Sequence, residues 1–433
     1  MVTLIRNGYL IDPSAKLEGF YDIIIRDQNI EKIGEHLTCE GAKIIDATGK
    51  YIMPGLIDLH VHLREPGYEY KETVETGSLA AAAGGFTTIC PMPNTKPAID
   101  SCDMVDEFNK KTSNVGLVNI CPIGAVTKGQ QGTELAEIEK MVSHGIVAIS
   151  EDGKSVMKTD VYMEGMKQAA KAGIPVFAHC EDRDLVRGGV MNEGSKAKEL
   201  GFKGITNAVE DVIVARDIIM SKEAGCALHL CHCSTKDSVT LVKIAKEIGL
   251  PVSAEVCPHH FTLCDEDIPG DDANYKMNPP LRSREDVNAL REGLRSGVIE
   301  VIATDHAPHS EEEKEQSIAT APFGIVGLET ALAVTYTELV KTGILTPMQM
   351  VEKMSTNPAN IINIDKGSLK VGKIADLVIA DFDNEYTINV NEFASKGKNS
   401  PFHGKKVYGK VQLTMVNGEI VYLDKRFKLR VYR

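Results

Sequence analysis

The run LIDLHVHLREPG, residues 56–67, ends in two histidines one residue apart. On a β-strand successive side chains point to opposite faces, so His60 and His62 face the same way. Two imidazoles side by side at a strand end make half of a metal site. Four more metal-ligating residues fall late in other apolar, β-branched runs: Asp152 in IVAISED, His179 in PVFAHCE, His232 in ALHLCHCS and Asp305 in EVIATDHAP. Neutral imidazole and carboxylate suit Zn²⁺, and a catalytic site leaves a coordination position open for water. With its two oxygens Asp152 could bridge two ions, His60 and His62 on one, His179 and His232 on the other. Asp305 would complete the first ion's shell. A bound ion lowers the pKa of its water from ~15.7 towards ~7, which yields hydroxide at neutral pH. This donor set is compatible with one ion or two.

The neighbours of these residues have plainer readings. Strand alternation turns Cys231, Cys233 and His229 away from the face of His232, which reads as packing. His306, next to Asp305, also faces away. His259 and His260 close the run PVSAEVCPHH and fit a supporting role as readily as packing. His36, His144 and His403 fall in the flanking segments or at helix ends, as solvated side chains. Arg64 differs: it lies two residues past His62 on the same rim, and a guanidinium grips a carboxylate through its planar fork.

Something must bring these residues to one place. Eight short apolar runs recur: 56–62, 86–93, 117–126, 146–152, 175–181, 227–234, 251–260 and 300–308. Segments with helical periodicity separate them, among them TVETGSLAAAAGG, TELAEIEKMVSHG, DVYMEGMKQAAKAG and SREDVNALREGLRSG. Strand–helix alternation implies right-handed βαβ units and a parallel sheet. Eight units are the count of a (β/α)8 TIM barrel, whose reacting groups gather at the C-terminal strand ends. An open doubly wound sheet is the alternative. The flanks alternate apolar and polar residues with little helix, as antiparallel strands do. The economical arrangement is an α/β barrel over 55–365 and a small composite β-sandwich domain from both chain ends, 1–54 and 366–433. The loops after the fifth, seventh and eighth runs are long, and SEEEKEQSIATAPFG (310–324) is expected to order over bound substrate.

Bulk properties narrow the partners. A chain of 433 residues with 43% hydrophobic and 25% charged residues is of ordinary globular composition, long enough for one large domain and a smaller one. A net charge of −13 disfavours nucleic acid or anionic lipid. The N-terminus lacks the apolar core of a signal peptide, and no run approaches the ~18 apolar residues of a membrane span. Ten cysteines, several inside apolar runs, read as reduced thiols in a cytoplasmic protein.

Taken in order, these motifs resemble the amidohydrolase superfamily and, within it, the class I dihydroorotases. The residues that carry the likeness are DLHVHLREPG (58–67), PMPNT (91–95), EDGKSV (151–156), AHCED (178–182), HLCHCS (229–234), NPPLR (278–282), ATDHAPH (303–309) and PFGIVGLET (322–330). IMPGLID (52–58) and GSLKVGKIADLVIADFD (367–383) extend it into the flanks. The resemblance implies His60, His62, Asp152, His179, His232 and Asp305 as zinc ligands, Asp305 doubling as general base and then general acid. It implies Arg64 and Asn94 on the substrate carboxylate, with His62, Asn278, His309, Phe323 and Gly324 completing the pocket. The implied reaction is reversible hydrolysis of dihydroorotate to N-carbamoyl-aspartate in pyrimidine synthesis. Related hydantoinases, dihydropyrimidinases and allantoinases usually bridge their metals with a carboxylated lysine; here Asp152 fills that slot, and Lys154 is the less favoured substitute. Those cyclic amidases, or a non-catalytic partner of aspartate transcarbamoylase, are the rival readings. A homodimer is the default assembly, and the resemblance allows association with the transcarbamoylase.

Overall fold

The computed structural model describes residues 2–425 and 427. The chain begins with β1 (Val2–Asp12), β2 (Leu17–Arg26), β3 (Asn29–Gly34), β4 (Lys43–Asp46) and β5 (Tyr51–Pro54). The site-bearing part then alternates strands and helices through β6 (Leu56–Val61), β7 (Phe86–Pro91), β8 (Asn119–Ile120), β9 (Ile123–Ala125), β10 (Ala148–Ser150) and β11 (Val176–Ala178). A small parallel pair, β12 (Met191–Asn192) and β13 (Gly204–Ile205), precedes β14 (Leu228–Leu230), β15 (Val252–Val256) and β16 (Val301–Ile302). The chain closes with β17 (Leu377–Asp381), the ribbon of β18 (Tyr386–Thr387) with β19 (Lys406–Val407), β20 (Lys410–Val416) and β21 (Glu419–Leu423).

Two parallel sheets carry the rim, one ordered β6-β7-β8 and the other β16-β15-β14-β11-β10-β9. At one junction Cys121 N donates to Ile89 O and Val147 N to Pro122 O; at the other, His62 N donates to His306 O at 2.9 Å. The third apolar run is thereby split. Pro122 has no N–H to give a ladder, so the run breaks into β8, which pairs with β7, and β9, which pairs with β10. One face of these strands gathers Ile57, Leu59, Cys90, Ile123, Phe177, Cys231 and Val301 into a single buried cluster. The other face packs Leu56, Phe86, Ile149, Val176 and Leu228 with the helices. Cys231 keeps the strand period on the inward face, opposite to Leu228 and Leu230. It is His232, past the end of β14 at Leu230 and with φ 34°, that leaves the period, so counting faces from His232 puts Cys231 on the wrong side.

The helices start where the sequence offers caps. Thr73, Thr235 and Ser283 side chains accept from the third backbone N–H of the Val74–Ala83, Lys236–Glu247 and Arg284–Ser296 helices. TELAEIEKMVSHG is helical only over Ile138–Ser143, because Leu135 bridges back to Thr127 as extended chain.

Both chain ends meet in one sheet, ordered β21-β20-β17-β5-β1-β2-β3, with β4 also on β1. The sheet is mixed where alternation alone suggests antiparallel strands: β1 pairs in parallel with β4 and β5, while β17 pairs antiparallel with β5. Ile5, Leu10, Ile52, Leu377, Ile379 and Leu413 fill one face. Met53, Val378 and Val411 turn to the other and join the large core under the parallel strands. Burying both faces of β17 accounts for its unbroken apolar reading, LVIAD.

Gly84 ends the Val74–Ala83 helix against the backbone of Leu328. A Cβ there would sit 2.1 Å from Leu328 O and 2.8 Å from its carbonyl carbon. Neither atom can swing aside, so Gly84→Ala is expected to cost about 1–3 kcal/mol. Thermal denaturation should show a midpoint several degrees lower, and an unchanged midpoint would mean the helix end can shift freely.

Candidate metal centre

His60 lies in β6 and His62 just beyond it, while Asp152, His179, His232 and Asp305 follow the ends of β10, β11, β14 and β16. All six side chains are buried. His60 Nε2 is 3.2 Å from Asp152 Oδ1 and 3.5 Å from Asp305 Oδ1. His62 Nε2 is 3.0 Å from Asp305 Oδ1 and 3.7 Å from Asp152 Oδ2. On the other side His179 Nδ1 is 2.9 Å from His232 Nε2 and 3.5 Å from Asp152 Oδ1, which lies 4.0 Å from His232 Nε2. Asp152 thus stands between a His60/His62 group and a His179/His232 group. Ligand atoms of His60, His62 and Asp305, and again of His60, Asp152 and His232, lie within 4.8 Å of one another.

Neighbours decide which nitrogens are bare. His60 Nδ1 donates to Glu255 Oε1 at 2.8 Å, and His62 Nδ1 donates to Asn94 Oδ1 at 2.9 Å. Asn94 is held in that orientation because its Nδ2 donates to Asp152 Oδ2 at 2.9 Å. Both imidazoles therefore carry a proton on Nδ1, and in the neutral form that binds a cation each turns a bare Nε2 towards carboxylate oxygens. Lone pairs facing lone pairs in a buried site are unfavourable unless positive charge lies between them. His60 Nε2, Asp152 Oδ1 and His179 Nε2 are buried without any hydrogen-bond partner. Orphaned acceptors of nitrogen and oxygen type at this spacing fit a divalent cation.

The two carboxylates stay ionised while the histidines divide. His232 is held neutral, and against burial Asp152 raises His60 and His179 towards the charged form, positive charge that a bound cation would replace. Burial and the neighbouring His179 and His60 push His232 down to about 3, so it stays neutral. Burial works against ionised Asp152 and Asp305, but the surrounding histidines outweigh it and hold both below the usual carboxylate range. Burial likewise opposes charge on His60, yet Asp152 wins and raises it.

Glu255 is the residue the sequence reading missed. It sits inside the apolar run of β15, fully buried, and accepts from His60 Nδ1, from His229 Nε2 at 3.0 Å and from His232 N at 3.2 Å. Burial opposes its charge, but His229 and His60 bring it down to about 2. His229 thus belongs to this support and is not mere packing. A glutamate in the middle of a β-branched run was the available signal. Asp58 has a similar role on β6, accepting from His60 N and Thr304 N at 3.1 Å and from Thr304 Oγ1 at 2.6 Å.

A cavity of about 190 Å³ opens beside the donors, lined by His62, Asp152, His179, His232 and Asp305 and by Arg64, Asn94, Asn278, Phe323 and Gly324. Larger cavities, of about 350 and 440 Å³ by the terminal sheet around Tyr386 and Lys410, about 370 Å³ beside His36 and about 220 Å³ beside Glu65, bring no group of histidines together. Chemistry, not size, marks the site. Arg64 Nε donates to Pro308 O at 3.2 Å, and its Nη2 lies 3.4 Å from His309 Nε2. His309 does not line the cavity itself; its Nε2 donates to Phe323 O at 2.8 Å and its Nδ1 accepts from Lys71 Nζ at 3.1 Å. Asn278 Nδ2 donates to Glu181. Lys154 Nζ is directed to Gln130 O, away from the donors. His306 pairs with Glu72, and His260 Nε2 donates to Pro279 O. Arg64, His232 and Asp305 adopt left-handed backbone, φ 60°, 34° and 48°. Such residues cost on the order of 1–3 kcal/mol each and concentrate at functional sites.

A family model described as dihydro-orotase-like matches residues 49–238. The chain is 47% identical to a dihydroorotase of Staphylococcus epidermidis over 98% of its length and all of that protein. It is 48% identical to a dihydroorotase of Pelotomaculum thermopropionicum, over 98% of this chain and 99% of that one. Among solved structures it superposes on an L-hydantoinase (dihydropyrimidinase) of Arthrobacter aurescens with TM-score 0.88 and 29% identity, covering 100% of this chain and 98% of that one. A dihydropyrimidinase of Brevibacillus agri gives TM-score 0.87 and 25% identity, over 99% and 96% of the two chains.

Glu255→Gln keeps the shape but replaces one acceptor oxygen with a donor facing His60 or His229. Metal retention is expected to fall by about 10–100-fold, as for other groups that orient a ligating histidine. Competition against a chromogenic chelator measures this, and unchanged retention would remove Glu255 from the support of the site.

Proposed function

The chain belongs to the dihydroorotase family, and from that premise we propose that its rim site catalyses reversible hydrolysis of (S)-dihydroorotate to N-carbamoyl-L-aspartate in de novo pyrimidine (UMP) biosynthesis. The observation that carries this reading is the convergence of bare imidazole nitrogens, two carboxylates and Arg64 on one cavity. Zn²⁺ is the proposed cation, as one ion or two. His60, His62 and Asp305 would hold one and His179 with His232 the other, with Asp152 between them. When bound, the cation polarises the scissile carbonyl as a Lewis acid and makes water nucleophilic at neutral pH.

The chain's own groups do the rest. Arg64, held at the cavity wall by Pro308 O, pairs with the substrate carboxylate. Asn94, Asn278 and the segment around His309, Phe323 and Gly324 complete the pocket, and His62 faces the ring. Asp305 takes a proton from the attacking water as general base. It then delivers that proton to the departing ring nitrogen as general acid, so the cyclic amide opens without releasing a free amide anion.

The same reading extends to the architecture. We take the two parallel sheets as one closed eight-stranded (β/α)8 barrel over 55–365, and 1–54 with 366–433 as a composite β-sandwich domain. The backbone bonds across both sheet junctions support this. The cytoplasm is the proposed compartment, in keeping with ten free thiols. No helix among the described residues is long and apolar enough to cross a membrane. A homodimer, and association with aspartate transcarbamoylase, remain part of the proposal.

Hydantoin-type rings lack the carboxylate that Arg64 would bind, and this separates the two cyclic-amidase readings. Dihydroorotate should be turned over in strong preference to hydantoin and allantoin; the opposite order would overturn the assignment. Arg64→Ala is expected to lower kcat/KM for dihydroorotate by about 10–100-fold, the worth of a charge-assisted pair. Asp305→Asn should fold, retain metal by elemental analysis and lose about 10²–10⁴-fold in kcat. Near-parental turnover in that variant would place the proton carrier elsewhere.

A further inference from the structure

The cavity wall formed by Phe323 and Gly324 is held from outside the rim. Gly324 O accepts from Lys314 Nζ at 2.9 Å and from Asn399 Nδ2 at 3.0 Å. Asn399 lies in the segment between β18 and β19, far along the chain from every residue assigned to the site. It is only 3% exposed. Its Nδ2 also donates to Ala307 O at 3.1 Å, its Oδ1 accepts from His309 N at 3.1 Å, and its backbone O accepts from Val326 N at 2.9 Å. One planar amide thus satisfies three backbone groups on two separate pieces of wall, 307–309 and 324. A side chain with one acceptor and two donors in a fixed plane can do this; a carboxylate or a hydroxyl cannot.

The clearance is small. Gly324 has φ 138°, and a Cβ there would meet Ala307 O and His309 Nε2, both at 2.9 Å. The two pieces of wall are therefore in close contact, and Asn399 sets how they stand relative to one another. His309 in turn donates from its ring to Phe323 O, so a shift of its backbone shifts the ring beside Arg64 as well.

We propose that Asn399 is a positioning residue for substrate binding: it fixes the spacing between His309 and Phe323–Gly324 and thereby the shape of the pocket around the substrate ring and carboxylate. This rests on the hydrolase reading above. Asn399 bonds to Ala307, His309, Gly324 and Val326 and to none of the groups that move protons or hold the cation. Its loss therefore acts on substrate binding before chemistry.

The test is steady-state kinetics on Asn399→Ala and Asn399→Asp, with metal content by elemental analysis and the thermal midpoint on the same preparations. In Asn399→Ala the KM for dihydroorotate should rise about 10-fold or more, with kcat within about threefold and metal content equal to the parent. Asn399→Asp should raise KM further, because its carboxylate would face Ala307 O and Gly324 O. An unchanged KM in either folded, metal-loaded variant overturns the proposal. So does a parallel fall of kcat and metal content, which would make Asn399 a general brace for the rim. Should the alanine variant not fold, Asn399→Ser, which keeps one of the three bonds, is expected to show an intermediate KM, and a parental KM there overturns the proposal equally. The parent's own substrate preference, taken in the same assay, judges the functional reading separately. For a parent that preferred another cyclic amide, the KM comparison is made on that compound.

Discussion

Four imidazoles and two carboxylates buried within a few ångströms of one another cannot be stable as a set of facing lone pairs. The surrounding structure is organised around that constraint. Every hydrogen-bonding choice near the rim decides which atoms carry a proton and which do not. Glu255 and Asn94 take the Nδ1 protons of His60 and His62, and this leaves both Nε2 atoms for a cation. A single swapped proton at either histidine would abolish the arrangement without moving a heavy atom.

The supporting groups are themselves buried and costly, and each is offset locally. Glu255 is ionised in a dry strand because His229 and His60 donate to it. Asp58 is pushed up to about 7 by burial, in spite of the bonds it accepts from Thr304 and His60 N. Through Thr304 it ties the first strand of the rim to the segment that carries Asp305. Left-handed backbone at Arg64, His232 and Asp305 adds further cost at the same rim. Stability for these features comes from the large apolar core below, where alternate residues of the same strands pack against the helices.

How much of this was legible in the sequence follows from what each residue must do. Ligands at strand ends interrupt apolar runs, so His60, His62, Asp152, His179, His232 and Asp305 stand out by type and place. Glu255 does not, because it lies inside a run and its partners come from β6 and β14, which only the fold brings near. Asn94 reads as a turn residue or a substrate contact; that both ends of its amide are engaged by His62 and Asp152 depends on contacts 32 and 58 positions away. Period-two reasoning misplaced Cys231 because it counted faces from His232, which lies past the end of β14 in left-handed backbone, where the period no longer holds. It also gave no hint that β1 pairs in parallel with β4 and β5, since alternation reports faces and not direction. The segment 310–324, expected as a lid, contains a helical turn at Glu311–Lys314 whose lysine is buried against three carbonyl groups.

The joining of both termini in one sheet matters during synthesis on the ribosome. β5 has its antiparallel neighbour in β17, which leaves the exit tunnel only after the whole intervening segment has been translated. At roughly 5–20 residues per second that interval lasts tens of seconds. Until then the nascent chain displays an unpaired edge of apolar strands, open to any other extended polypeptide nearby. A prematurely terminated product would keep that sticky edge permanently.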